Sequence, residues 1–186
     1  SLGGGVSIET AAAAPERVSA VMLCEAIAVG SDFLSARKTD FGGHAHLLAV
    51  AACRRREVWP DRAAVEASYG SRPPLDSLAP EALASYVRWG FVDRDDGQVE
   101  LACAPETEAG IFDSRYRHGP LETFHRLADV AAPASVLAGT LTNLPATVFV
   151  EQAKILGTEV VWVEGGHFFL FEDLDRAESL VRFHLG

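Results

Sequence analysis

The sequence predicts an α/β chain in which short parallel strands alternate with helices at both ends and a mostly helical stretch fills the middle. Two observations carry this prediction. Val18 to Cys24, Ser135 to Gly139 and Glu159 to Val163 are short, nearly continuous apolar runs bounded by turn residues, the pattern of strands buried on both faces of a parallel sheet. A chain of 186 residues with 48% hydrophobic content can also bury a substantial core, about 70% of its unfolded surface at this size. One folded unit with an insertion is expected.

The elements follow in order. Ser1 is followed at once by glycines and a small-residue helical stretch, then by the turn Pro15-Glu16-Arg17-Val18 and the first strand, ending at Cys24. From about Gly30 to Val130 the predicted helices are Gly43 to Glu57, Asp61 to Tyr69, Pro80 to Trp89, Pro105 to Phe112 and Leu121 to Asp129. Asp95-Asp96-Gly97 marks a turn before the alternating stretch Gln98 to Cys103. The helix Pro145 to Leu156 has Pro near its first turn, Asn143 able to cap it and Gly157 just past its end. In the last helix, from about Glu172, Leu174, Ala177, Leu180, Val181 and His184 share one face that should pack on the sheet. No period recurs, which excludes a repeat architecture.

Charge and cysteine content narrow the function classes. A net charge of −10 repels phosphate backbones, so nucleic acid is not an expected partner. The run Arg54-Arg55-Arg56 reads as a helix C-terminus compensating its dipole. Three widely spaced cysteines, Cys24, Cys53 and Cys103, form neither a disulfide framework nor a zinc pattern, and a reducing cytoplasm is the expected location. No apolar run reaches the length of a membrane span. His44 and His46 lack a third ligand at useful spacing, so no metal is expected, and no cofactor motif is present.

The start Ser1-Leu2-Gly3-Gly4-Gly5 and the loop Gly165-Gly166-His167-Phe168-Phe169 carry the chemistry. A serine beside glycines and a small-residue helix is how a nucleophile is presented on a sharp strand-to-helix turn. A histidine after a buried strand and two glycines sits on a short loop with room to turn. Taken with the order of elements, these residues resemble the α/β-hydrolase superfamily, as a lipase- or esterase-like member, whose elbow G-x-S-x-G is commonly extended as G-H-S-L-G-G. Only the half from Ser1 onward is matched, so the resemblance implies the C-terminal half of that fold: parallel strands with flanking helices and a helical cap insertion. It implies a core of residues 1–30 and 130–186 and a cap over 31–129, placed as a lid at the mouth of the site.

The same resemblance implies a serine hydrolase that cleaves an ester-like bond through an acyl-enzyme on Ser1, with His167 as general base and the Leu2 N–H as first oxyanion donor. The strands preceding the nucleophile, and the loop giving the second donor, are expected upstream of Ser1. That missing half, or a second copy of the chain, is the expected partner beside a small-molecule substrate. An N-terminal-nucleophile hydrolase would need strands to begin at the serine, where a helix follows instead.

The acid departs from the pattern. The family's usual aspartate falls at Gly139-Thr140-Leu141-Thr142-Asn143, where Thr142 or Asn143 occupies its place and neither carries charge. Some members take the acid from the end of the preceding strand, which makes Glu25 the candidate. The competing reading is a non-catalytic hydrolase-fold protein that binds a small apolar ligand or a partner, favoured by Thr142-Asn143. Trp59, Trp89, Tyr86, Phe91 and Phe112 suggest an apolar lid surface and a partly apolar substrate, although any single aromatic is more often core.

Overall fold

In the computed structural model of the chain, the described residues are 1–31, 41–112 and 119–186, with the backbone alone described for 41–46. His118 and the side chains of His44 and His46 lie outside the described residues. In chain order the elements are α1 (Leu2–Ala13), β1 (Val21–Cys24), α2 (Phe41–Cys53), β2 (Val58–Trp59), α3 (Arg62–Tyr69) and α4 (Pro80–Gly90). Then come β3 (Phe91–Asp93), β4 (Val99–Leu101), α5 (Pro105–Phe112), α6 (Pro120–Arg126), β5 (Ala134–Gly139), α7 (Ala146–Ile155), β6 (Val160–Val163), α8 (Phe169–Glu172) and α9 (Leu174–Leu185). They divide into two compact units.

The first unit holds a three-stranded parallel sheet in the order β1-β5-β6. Its strands are the three apolar runs of the sequence, and Val136, Leu137 and Ala138 are wholly buried at its centre. Register sets the site. Cys24 lies opposite Leu137, and Gly139 opposite Val163, so the three carboxyl ends meet at one edge. The residues that leave that edge are Glu25, the 140–144 connection and the loop carrying His167. Leu137, Val163 and Phe169 form the core beneath, with Met22, Cys24, Leu170 and Leu180 packed on it.

Two expectations shift here. The first strand begins at Val21 rather than Val18, because Pro15–Arg17 close as a turn of 3-10 helix and hold the chain out of the ladder. Residues Pro120–Arg126, expected in the cap, belong to the first unit, so 31–129 overstates the insertion. Their helix α6 packs on α1, where Arg126 faces Glu9 at 3.6 Å, and on the loop after β1, where the Pro120 carbonyl accepts from the Val29 N–H at 2.9 Å. The terminal helix starts at Leu174, and His184 reaches the Ser135 hydroxyl at 2.9 Å, while Phe183 on another face is 83% exposed.

The second unit comprises α2 to α5 with the small strands, inserted in sequence after β1. It is not wholly helical. β2, β4 and β3 form an antiparallel sheet, of which only the stretch around β4 was legible as alternating residues. Trp59, Val65, Tyr69, Leu83, Val87, Phe91 and Val99 make its core, so Trp59 and Phe91 serve packing rather than a lid surface. Trp89 is exposed, beneath the Arg88 guanidinium. Arg55 does more than compensate a helix end: it pairs with Glu108 and donates to the Tyr69 and Tyr86 hydroxyls at 3.0 Å each, joining α2, α3, α4 and α5. Arg56 lies over the Trp59 ring at 4.4 Å.

Candidate active site

Ser1 is the N-cap residue of α1, and its hydroxyl makes no capping bond, so the side chain is not consumed by the helix. Its backbone is tied to the loop after β1. The amino nitrogen donates to the Cys24 carbonyl at 2.9 Å, and the Ser1 carbonyl accepts from the Ile27 N–H at 3.3 Å and the Gly4 N–H at 3.0 Å. These bonds seat the head of α1 on both sides of Glu25. The approach is close enough to need glycine: a Cβ on Gly4 would stand 2.4 Å from the Ala26 Cβ and 2.8 Å from its Cα. Leu2 is the first helical residue, and its N–H belongs to the first turn, whose donors have no partner within the helix.

Glu25 is fully buried, at the first position past β1, with φ 46°. A non-glycine residue in the left-handed region is strained and, when held so, marks a constrained site. Three donors surround its carboxylate. Oε1 accepts from the Gly139 N–H at 2.8 Å; Oε2 accepts from the Thr142 hydroxyl at 2.8 Å and lies 2.5 Å from His167 Nδ1. Burial alone would raise its pKa, but the bonds from His167, Gly139 and Thr142, with the attraction of the His167 ring when it is charged, outweigh that and hold it below the ordinary value of 4.5. The loop itself is anchored by Gln152 of α7, wholly buried, whose Nε2 donates to the Ala26 and Ala28 carbonyls at 2.9 and 2.8 Å.

His167 is carried past β6 on a loop that turns at Gly165, φ 129°. That loop is fastened to the end of β5. The Thr140 N–H donates to the Val163 carbonyl at 2.8 Å, and the Leu141 N–H to the Gly165 carbonyl at 2.9 Å. A Cβ on Gly139 would meet the Gly166 carbonyl oxygen at 2.3 Å, so glycine is required where strand and loop touch. With Glu25 ionised, Nδ1 carries the proton and donates it, and Nε2 on the opposite side of the ring is left as the acceptor.

The structure therefore brings Glu25 and His167 into direct contact. Ser1 is brought to the same strand-end loop. No hydrogen bond joins its hydroxyl to His167 among the described residues; in ligand-free sites such bonds are often long and tighten with substrate. Thr142, read in the sequence as standing where the acid is expected, is a direct hydrogen-bond partner of Glu25; only its nearness to the expected acid position pointed to it. Gln152 carried no sequence signal. Among the described residues no group of three or more His, Cys, Asp or Glu side chains could hold a metal ion, and no helix is long and apolar enough to cross a membrane.

No protein-family profile matches the sequence, and no curated protein matches it. Solved structures do. The whole chain superposes on E-2-(acetamidomethylene)succinate hydrolase with a TM-score of 0.73 at 20% identity, over 64% of that chain. It superposes on a peroxisomal alpha-beta-hydrolase from Saccharomyces cerevisiae with a TM-score of 0.72 at 12% identity, over 50% of that chain, and on an esterase from Mycobacterium tuberculosis with 0.65 at 21%, over 60%. The chain thus spans between half and two thirds of the length of these structures. What it shares with them is architecture, and the fold of this chain is that of the α/β-hydrolases.

Proposed function

We propose that the protein is a serine hydrolase that cleaves an ester-like bond, with Ser1 as nucleophile, His167 as general base and Glu25 as the acid that orients it. The observation that carries this reading is the contact between the buried Glu25 carboxylate and the half-buried His167 ring at the carboxyl edge of the sheet. His167 Nε2 takes the Ser1 proton as Oγ bonds to the substrate carbonyl carbon, and the carbonyl oxygen becomes an oxyanion facing the Leu2 N–H. As that intermediate collapses, the bond to the leaving oxygen breaks and the imidazolium gives it the proton. Water, deprotonated by His167 in turn, then releases the acyl group from Ser1.

Residues of the second unit are assigned as the cap. The case for a partly apolar substrate rests on the exposed Leu47, Leu48 and Ile111 of that unit. The competing non-catalytic reading drew on the uncharged Thr142-Asn143 pair. It weighs less with Glu25 at hydrogen-bonding distance from the histidine.

A fluorophosphonate probe should label the chain at Ser1, and Ser1→Ala should abolish labelling. Glu25→Gln should lower ester turnover by about 10⁴-fold, the size of effect that follows loss of the orienting acid in serine hydrolysis. A chain that turns over esters undiminished after Ser1→Ala would rule out this mechanism.

A further inference from the structure

We infer that Thr142 is a positioning residue of this site, its hydroxyl fixing the Glu25 carboxylate against His167. The inference rests on the triad reading above. Thr142 Oγ1 accepts the Leu144 N–H at 3.2 Å, which occupies one of its lone pairs and leaves its proton for Glu25 Oε2 at 2.8 Å. Donor and acceptor are thereby assigned by the backbone, not by a free rotor.

The consequence is a carboxylate held at both oxygens from one neighbouring strand. Gly139, the last residue of β5, holds Oε1, and Thr142, three residues on, holds Oε2. Glu25 comes from β1, so the connection after β5 places an acid that a different strand supplies. Without the hydroxyl, Oε2 keeps only His167 as a partner and Oε1 only the Gly139 N–H, so the carboxylate is held by two bonds instead of three. Thr142 and Glu25 are matched in this sense: a hydroxyl stands where the resemblance expects a carboxylate, and it serves the carboxylate that stands elsewhere. The other ionisable group in contact with this carboxylate is His167, and the Cys24 thiol beside it is held neutral by burial, which pushes it up to about 11.

The test compares the wild-type chain with Thr142→Val, Thr142→Ala, Thr142→Ser and Glu25→Gln. Two quantities are read: the titration midpoint of the Glu25 carboxyl by carbon-13 NMR, and turnover of p-nitrophenyl acetate. Removing a hydrogen bond to a charged group should raise the Glu25 midpoint by about one pH unit and lower kcat about tenfold with KM little changed. Thr142→Ser should restore both. In a Glu25→Gln background, Thr142→Val should lower kcat no further, since its effect passes through the carboxylate. An unmoved midpoint in both Thr142→Val and Thr142→Ala overturns the inference, as does an equal loss of kcat with and without Glu25. Undiminished turnover in Glu25→Gln instead refutes the triad reading, and the midpoint still decides whether Thr142 fixes the carboxylate.

Discussion

Glu25 combines three properties that rarely coincide: a left-handed backbone, full burial and a carboxylate saturated with donors. Its folded pKa lies below the ordinary 4.5. A carboxylate of this kind contributes stability that is fully present above its unfolded value and is lost as pH falls through its folded value. The melting temperature of the wild-type chain should therefore exceed that of Glu25→Gln most clearly above about pH 5, and the gap should close as the pH falls below the folded value. A gap independent of pH would mean that charge plays no part. Thr142→Asp is predicted to harm the site. It puts a second carboxylate against Oε2, and two such groups cannot both ionise cheaply, so one pKa must rise and turnover should fall.

At the scale of elements, glycines decide how α1, β5 and the histidine loop approach one another. A methyl added at Gly3 would meet nothing within 4 Å, whereas one at Gly4 would meet Ala26 and one at Gly139 the Gly165 and Gly166 carbonyls. Gly3→Ala should then stabilise α1 by about 0.5–1 kcal/mol through helix propensity alone. Gly4→Ala should destabilise despite the same propensity gain, since the methyl must push the helix off the Glu25 loop. Gly139→Ala should displace the loop that carries His167, lowering turnover more than the melting temperature accounts for. Thermal melts of the three variants, read beside ester turnover, separate these outcomes.

For the whole molecule, β1 is the decisive strand. It pairs with β5 on one side and with no other strand among the described residues, although Val21 and Leu23 are buried. An apolar strand with one open ladder edge is a template for strand addition. The 186-residue chain should self-associate as its concentration rises, and its net charge of −10 should oppose this. Added salt screens that repulsion, so association should strengthen between low and physiological ionic strength. Sedimentation velocity across both ranges is the check, and a single monomeric species throughout would show that the edge is closed.

The sequence by itself determined the strands of the parallel sheet, the helices beside them, and the strand ends that Glu25 and His167 follow. These are local properties: apolar runs, turn residues and glycines are written in neighbouring positions. The antiparallel sheet of the second unit was legible only around Gln98 to Cys103, because β2 and β3 are two and three residues long and show no period. The resemblance led to the expectation that Glu25 serves His167, 142 positions away; tertiary structure alone decided that a threonine 117 positions away joins them and that Gln152 pins the loop after Glu25. It also changed the meaning of Thr142, from an uncharged residue at the expected acid position to a hydrogen-bond partner of Glu25. Such pairings depend on the register of β1 against β5 and of β5 against β6. A shift of one residue would move every strand end relative to its neighbours, and no local pattern in the chain records that alignment.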